Sequence, residues 1–165
     1  MDSLQGVDIF ATPRFSARAL VSADAEALRI LTDDRVITDA VDFLRFPFDL
    51  DQAKGLIAQQ GAGDRFFGVR AADGRLVAVA GAHLREGDHI EIGYWVGCAF
   101  QGRGYATEIA QGLIAALLER FPKRRIMAEC RPENAASWAV LRHCGLEPTG
   151  AAGQRPGRQI LLYER

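Results

Sequence analysis

The sequence has 165 residues, of which 48% are hydrophobic and 25% charged, and its formal net charge at pH 7 is −1. This length and composition predict one globular domain over residues 1–165, and the near-neutral charge without a Lys/Arg cluster argues against a nucleic-acid partner. No apolar run is long enough to span a membrane and the N-terminus lacks the pattern of a signal peptide, so we expect a cytoplasmic protein without a membrane partner.

Hydrophobic periodicity divides the chain into seven strands and four helices, in the order β-α-α-β-β-β-α-β-α-β-β. This order predicts an α/β protein with a mixed sheet. Alternating or wholly apolar short runs predict strands over 14–21, 65–71, 76–84, 90–96, 125–130, 146–151 and 159–163. Apolar residues at helical spacing predict helices over 25–31, 50–60, 106–121 and 132–144.

Two segments lack a clear period. Residues 1–12 are predicted to be a loose lead-in, and residues 33–48 to be part helix and part loop. Acidic residues recur in the second segment, and they either attract a cationic ligand or form a solvated acidic surface. They are Asp33, Asp34, Asp39 and Asp42. Because loops carry specificity, we expect residues 33–48 and the loop over 153–157 to border the part of any binding site that selects a ligand.

The cysteine and histidine positions argue against a metal site. Cys98, Cys130 and Cys144 are an odd number without C-x-x-C spacing, which fits neither a disulfide framework nor a zinc site and is typical of a reducing compartment. The three histidines have no ligand-like spacing with a carboxylate. We therefore expect no metal cofactor.

The stretch from His89 to Phe121 organises the chain. Its strand places Ile90, Ile92, Tyr94 and Val96 on one face, while Trp95 makes the other face apolar as well, which predicts a central, buried strand. The helix that follows carries a single apolar stripe. A short turn containing two glycines joins the strand to the helix.

This turn, Gln101-Gly102-Arg103-Gly104-Tyr105-Ala106-Thr107, has the features of an anion site. The first N–H groups of a helix have no partner within the helix, and the helix dipole places partial positive charge there. Gly102 and Gly104 allow a phosphate to approach the backbone, and Arg103 can add a charge-assisted hydrogen bond. The alternative is that the glycines only shape a tight turn.

Neither common nucleotide-binding pattern fits the turn, because Thr107 occupies the third glycine position of G-x-G-x-x-G and the P-loop pattern is absent. The pattern Q/R-x-x-G-x-G/A is met by Gln101, Gly104 and Ala106. With the strand EIGYWV before it and the long helix after it, the stretch resembles the acetyl-CoA-binding motif of the GNAT superfamily of N-acetyltransferases. The segment from Asn134 to Leu146 is similar to the N-x-x-[AS] and G-[FL] pattern of the same family.

The resemblance covers nearly the whole chain and implies a single GNAT-like domain with a mostly antiparallel mixed sheet flanked by helices. It also implies acetyl-CoA as co-substrate. The residues implied to contact the pantetheine arm are Tyr94, Trp95, Val96, Gly97, Cys98, Asn134 and Ser137, and those implied to hold the pyrophosphate are Gln101, Gly102, Arg103, Gly104, Tyr105, Ala106 and Thr107. Asn134 can equally be a plain helix N-cap.

Catalysis of acetyl transfer needs a neutral amine, so a general base would help. Glu91, on the central strand, is the candidate, with a pKa expected to rise through burial beside Trp95. The alternatives are that Glu91 is a structural acid paired with an arginine, or that an ordered water suffices. Backbone N–H groups around Val96 and Gly97 are expected to hold the oxyanion.

The family resemblance fails at one catalytic position. Many members carry a tyrosine seven residues after the motif asparagine, as general acid, and Leu141 stands there in this chain. Ser137 is the replacement candidate for protonating the thiolate, and a second capping residue is its alternative role. Because a thiol has a pKa near 8.5, its thiolate is a good leaving group and needs little help.

The resemblance implies an enzyme that acetylates a primary amine. The lead-in to the first strand and the N-x-x-S form resemble the branch that contains ribosomal-protein N-terminal acetyltransferases, so a protein N-terminus is the first choice of acceptor. A small amine (polyamine, aminoglycoside or amino acid) is the second, and a non-catalytic acetyl-CoA-binding module is the alternative of another class. A monomer and a homodimer are both compatible with the sequence.

Overall fold

The structure, a computed structural model, describes residues 3–165. Eight strands form one sheet in the order β1-β2-β3-β4-β5-β6-β8-β7. The strands are β1 Ile9–Ala11, β2 Ser16–Ala19, β3 Asp64–Arg70, β4 Leu76–Leu84, β5 His89–Val96, β6 Arg125–Cys130, β7 Leu146–Ala152 and β8 Gln159–Tyr163. The helices are α1 Ala25–Thr32, α2 Arg35–Ala40, α3 Leu50–Ala58, α4 Tyr105–Arg120 and α5 Ala135–His143.

The N-terminal segment departs from the prediction. Residues 1–12 were expected to be a loose lead-in, but Ile9–Ala11 form an edge strand that pairs antiparallel with β2, with Phe10 opposite Ala17. A three-residue strand is too short to show a recognisable alternation of apolar and polar residues. Its pairing with β2, rather than its own sequence pattern, holds it in the extended conformation. Residues 1 and 2 lie outside the described part of the chain. The strand predicted over 14–21 is confirmed in its central part, Ser16–Ala19.

Local capping explains where several helices begin. The Asp34 side chain accepts a hydrogen bond from the Val36 N–H and starts α2, so residues 33–48 are part helix and part loop, as predicted. Asp49 caps α3 and Asn134 caps α5 in the same way. Each of these side chains occupies one of the free N–H groups of a first turn.

The two faces of the sheet carry two apolar clusters. Ile90, Ile92 and Val96 of β5 pack on the same side as the buried residues of α4, which confirms the predicted alternation. Trp95 points to the opposite face, where it belongs to a second cluster with residues of α1 and α3. β5 is therefore covered on both faces, which explains its continuous apolar character.

β5 and β6 form the only parallel pair among the strands of residues 3–165. Their pairing covers only His89–Glu91 against Arg125–Met127, whereas β6 remains paired with β8 up to Cys130. Beyond Glu91, β5 thus has a sheet partner on its β4 side only. A wedge opens between β5 and β6 at this point, and we call it the β5–β6 wedge.

Candidate active site

A cavity of about 870 Å³ occupies the β5–β6 wedge. This volume lies within the range of sites that bind small molecules and cofactors. Gly104 and Thr107 at the start of α4 line one end of the cavity, and Phe43 and Phe66 line the other. The cavity therefore connects the helix N-terminus to the opposite face of the sheet.

The α4 N-terminus has the geometry of an anion site. Gly102 and Gly104 have φ values of +75° and +76°, a region that favours glycine, and Gly104 occupies the N-cap without a side-chain hydrogen bond. The first N–H groups of α4 consequently remain available to a ligand. A Cβ built on Gly102 would meet no atom within 4 Å, so backbone conformation rather than crowding accounts for the glycine.

Most of the predicted site residues line this cavity. They are Glu91, Tyr94, Trp95, Val96, Gln101, Gly102, Gly104, Tyr105, Ala106, Thr107, Asn134 and Ser137. The structure does not place Gly97, Cys98 or Arg103 on the cavity wall: Gly97 is buried, and the other two are exposed. Gln101 donates its amide N–H to the Val96 carbonyl, 3.0 Å away, and so braces the turn after β5.

The backbone of β5 beside the wedge offers N–H groups to a ligand. The Gly97 N–H donates to the Val77 carbonyl at 2.9 Å, so it is not free to hold an oxyanion and that part of the prediction is wrong. In an antiparallel ladder the N–H groups of alternate residues point to opposite sides. Those of Tyr94 and Val96 therefore point away from β4, toward the wedge, where β6 no longer pairs with β5.

Two hydroxyl groups meet where α5 borders the wedge. The Tyr94 Oη and Ser137 Oγ atoms are 3.0 Å apart, and the Ser137 N–H donates to the Asn134 side chain at 3.2 Å. Burial raises the pKa of Tyr94 well above its ordinary value, so this phenol stays protonated at neutral pH. Leu141, at the family's tyrosine position, is only 2% exposed. Sequence analysis did not detect that Tyr94 supplies a second hydroxyl.

Glu91 is buried, with 4% of its surface exposed, but its surroundings differ from those expected. The Arg85 Nε donates to one carboxylate oxygen at 2.8 Å, and Arg155 donates to the other. Trp95 instead donates its indole N–H to the Thr32 hydroxyl at 3.1 Å. Two guanidinium groups, rather than an apolar contact with Trp95, thus determine the environment of Glu91, and the arginine pairing left open by the sequence is present.

Arg155 connects three acidic residues on the cavity wall. Besides Glu91 it contacts Glu129, at 3.4 Å, and Asp42, at 3.4 Å. Glu91 and Glu129 are almost fully buried, whereas Arg155 is 30% exposed. The 153–157 loop therefore meets the 33–48 segment at the cavity, as predicted, through an ion-pair network that the sequence did not indicate.

His83 and Asp64 are cavity residues that sequence analysis missed as a pair. Asp64, His83 and Glu91 are directly opposite one another on three neighbouring strands. The His83 Nδ1 atom lies 2.7 Å from the Asp64 carboxylate. Their separation in sequence follows no metal-ligand spacing, and only the strand register brings them together. Residues 3–165 contain no cluster of three or more His, Cys, Asp or Glu residues suited to a metal ion.

Arg14 and Glu108 fix the start of α4 to the N-terminal segment. The Arg14 Nε and backbone N–H both donate to the Glu108 carboxylate, at 2.6 and 2.9 Å, and the Thr12 hydroxyl donates to it too. Arg14 also lies over the Tyr105 ring, 4.8 Å from its centroid. The positive charge of Arg14 offsets the negative charge of Glu108, which would otherwise repel an anion bound at the first turn of α4.

Replacing Glu108 with Gln is expected to lower the free energy of unfolding by about 1 kcal/mol at pH 7. Although partial burial opposes it, hydrogen bonds from Thr12 and Arg14 lower the pKa of Glu108 below its ordinary value of 4.5. The ionised carboxylate thus stabilises the fold above pH 4.5, and the contribution is lost as the pH falls through the lower pKa of the folded state. Urea unfolding of wild type and Glu108→Gln at several pH values measures this difference. Glu119→Gln, an exposed change on the same helix, is the control, and a difference that persists at low pH would contradict the assignment.

The β5–β6 wedge and the glycine N-cap of α4 beside it define an α/β protein with a binding site for an anionic ligand such as a pyrophosphate. A family model described as "Acetyltransferase (GNAT) domain" matches residues 14–147. The chain belongs to this family and is an acetyl-CoA-dependent N-acetyltransferase.

Relatives and solved structures agree with this assignment. The chain is 26% identical over 163 residues to the uncharacterized N-acetyltransferase p20 of Bacillus licheniformis, covering 92% of this chain and 91% of the relative. It is 35% identical over 65 residues to the uncharacterized N-acetyltransferase YnaD of Bacillus subtilis; this match covers 39% of this chain and 38% of YnaD.

Among solved structures, RimL, a ribosomal L7/L12 alpha-N-protein acetyltransferase in complex with coenzyme A, superposes with a TM-score of 0.82 at 20% identity, covering 94% of this chain and 97% of that one. A spermidine N-acetyltransferase SpeG chimera from Vibrio cholerae and hSSAT has a TM-score of 0.75 at 15% identity, covering 91% and 95%. At these identities the likeness establishes the shared fold. None of the helices formed by residues 3–165 has the length and apolar character needed to cross a bilayer.

Proposed function

We propose that this enzyme acetylates the α-amino group of a peptide or protein N-terminus. Acetyl-CoA would enter from the α4 side of the sheet and the acceptor from the opposite face. The observation that carries the proposal is the continuity of the cavity, which runs from the α4 N-terminus through the β5–β6 wedge to that face. The relative named for an alpha-N-protein substrate supports this acceptor class by analogy.

The acceptor end of the cavity suits an uncharged peptide segment. Phe43, Phe66 and Trp95 form an aromatic cluster there, with ring centroids about 6 Å apart. A Cβ on Gly93 would meet no atom within 4 Å, so there is room above the strand. The acids at this end support a polyamine less well, because Asp42 and Glu91 are already paired with Arg155.

The acid–base chemistry favours the same acceptor. An α-amino group has a pKa near 8, so roughly a tenth of it is neutral at pH 7, whereas a lysine side chain with a pKa near 10.4 is almost wholly protonated. A site that lacks a strong base can therefore use an α-amino group far more readily.

The proposed roles follow the placement of the side chains. Residues Gln101–Thr107 would hold the pyrophosphate and Tyr94, Val96 and Asn134 the pantetheine arm, with the Val96 N–H facing the developing oxyanion. Ser137, hydrogen-bonded to the Tyr94 hydroxyl, would protonate the departing thiolate in place of the absent tyrosine. Glu91 is the candidate base from the sequence, although Arg85 and Arg155 occupy its oxygens here. A cytoplasmic location is part of this proposal.

Thiol release from acetyl-CoA, followed with a panel of acceptors, tests the proposal. We expect turnover with hexapeptides that have a free N-terminus. Little turnover is expected with the same peptides carrying a blocked N-terminus and an internal lysine, or with spermidine. Faster turnover of spermidine would move the acceptor to the small-amine class. Acetyl-CoA binding without turnover of any amine would favour a non-catalytic module.

A further inference from the structure

We infer that His83, oriented by Asp64, is the residue that takes the proton from the acceptor amine. This inference deepens the proposed function and rests on it for the position of the amine. His83 belongs to neither of the two motifs that identified the acetyl-CoA site, and it lies on β4, which precedes both in the chain.

The strand register aligns the ring. Asp64 of β3 is directly opposite His83, and its carboxylate lies 2.7 Å from Nδ1. A carboxylate that is ionised at neutral pH can only accept a hydrogen bond, so it selects the tautomer with the proton on Nδ1. The Nε2 atom then carries the lone pair, and among residues 3–165 it has no hydrogen-bond donor.

The free nitrogen points along β4 toward the wedge. A Cβ built on Gly81 would approach Nε2 to 2.9 Å, which places the ring edge directly above Gly81. Gly81 is paired with Gly93 of β5, over which a Cβ would find open space. Gly93 lies just beyond Glu91, where the pairing of β5 with β6 ends. The imidazole thus occupies the space over Gly81, and the open space over the neighbouring Gly93 can accept a small amine.

The surroundings of the ring keep it neutral. Burial lowers the pKa of His83 below its ordinary value of 6.5, and the nearby Arg85 acts in the same direction. Asp64 and Glu91 act in the opposite direction without overcoming the burial. Arg155, from the 153–157 loop, faces Glu91 on the other side. At neutral pH the imidazole is therefore ready to accept a proton.

His83 is better placed for this role than Glu91. Each carboxylate oxygen of Glu91 accepts a hydrogen bond from a guanidinium group, and these two cations repel an approaching ammonium. Within the described part of the chain, the lone pair on His83 Nε2 has no such neighbour hydrogen-bonded to it. Glu91 then helps by lying opposite His83, where its negative charge favours the imidazolium formed during the reaction.

The proton and electron balance of the step is simple. The ammonium form of the acceptor gives one proton to Nε2, which leaves a lone pair on the amine nitrogen. That pair forms the new C–N bond at the thioester carbonyl carbon, the C–S bond breaks, and the sulfur leaves with its electron pair. The thiolate takes a proton from the Ser137–Tyr94 hydroxyl pair, and the second proton that the attacking nitrogen loses as the amide forms passes through water to refill that pair. The imidazolium returns its proton to water.

Kinetics of His83→Gln, Asp64→Asn and Glu91→Gln against pH test the inference, with the best peptide of the acceptor panel. For His83→Gln we expect kcat/KM about 100-fold lower at pH 7, loss of the acidic limb of the pH profile, and acetyl-CoA affinity within twofold of wild type. Asp64→Asn should move the acidic limb to lower pH, because Asp64 raises the pKa of His83. The Glu91→Gln variant should retain the acidic limb of the pH profile. A His83→Gln variant within threefold of wild type, or a limb lost only in Glu91→Gln, overturns the inference.

Side-chain ¹⁵N NMR gives a readout that does not depend on finding an acceptor. The His83→Gln spectrum identifies the His83 resonances among those of the three histidines. We expect a neutral ring protonated on Nδ1 at pH 7. A proton on Nε2 overturns the inference, since the atom facing the amine could then accept nothing. If wild type acetylates no member of the panel, the proposed acceptor fails, while the tautomer still decides the role of His83.

Discussion

Gly104→Val is expected to weaken acetyl-CoA binding about tenfold or more while leaving the protein folded. The φ of +76° at Gly104 costs a residue with a Cβ about 1–2 kcal/mol, and a β-branched side chain relieves that strain by moving the first turn of α4. The N–H groups that would face the pyrophosphate move with it. Because a tenfold loss of affinity removes about 1.4 kcal/mol of ligand stabilisation, the rise in Tm caused by saturating acetyl-CoA should shrink measurably.

Gly74→Val is the matched control for this change. Gly74 has a φ of +87° in the β3–β4 hairpin, and a Cβ there would meet no atom within 4 Å. Valine at this position would suffer a backbone strain similar to that at Gly104, and Gly74 is not part of the cavity wall. Both variants should lose Tm without ligand, but only Gly104→Val should lose the acetyl-CoA-induced rise. An equal rise in the two variants would show that the α4 N-terminus does not hold the ligand.

Arg155→Met is expected to lower the free energy of unfolding by about 3 kcal/mol at pH 7. Methionine keeps the apolar part of the side chain, so the decrease in the free energy of unfolding reports mainly the removal of the charge. Glu129 would lose its ion-pair partner and Glu91 one of its two, and both carboxylates are almost fully buried. Urea unfolding by circular dichroism measures the change.

The control for Arg155 is Arg75→Met, which removes an arginine from an exposed pair with Asp73. Surface ion pairs contribute little, so this variant should stay within about 0.5 kcal/mol of wild type. If Arg155→Met were as stable as Arg75→Met, water would be solvating Glu91 and Glu129. The buried ion-pair network around Arg155 would then be incorrect.

The parts of the fold that the sequence predicted well are those with local causes. β4, β6 and β8 have the predicted limits, because each is a short apolar run bounded by turn residues. Asn134 caps the helix that it was expected to cap, since the bond involves a residue three positions away. The strand, turn and helix around Gly104 were readable for the same reason, and with them most of the acetyl-CoA-facing wall.

The parts that were missed depend on residues far apart in the chain. Arg14 and Glu108 are 94 positions apart, and Glu91 and Arg155 are 64 apart, so no spacing rule relates them. The His83–Asp64 pair follows from the register of β3 against β4, which depends on the turn geometry and not on any spacing between the two residues. The expected contact between Glu91 and Trp95 was wrong because side chains on one face of a strand, four residues apart, are too distant to touch.

The central claim is that the β5–β6 wedge and the α4 N-terminus bind acetyl-CoA. Calorimetric titration of the wild-type protein with acetyl-CoA tests it most directly, with NADH and ATP as controls that share the diphosphate but lack the pantetheine thioester. The account predicts saturable binding of acetyl-CoA at one site per chain and little heat from either control. Absence of binding, or equal binding of ATP, would contradict it, because the wedge would then contribute nothing to recognition.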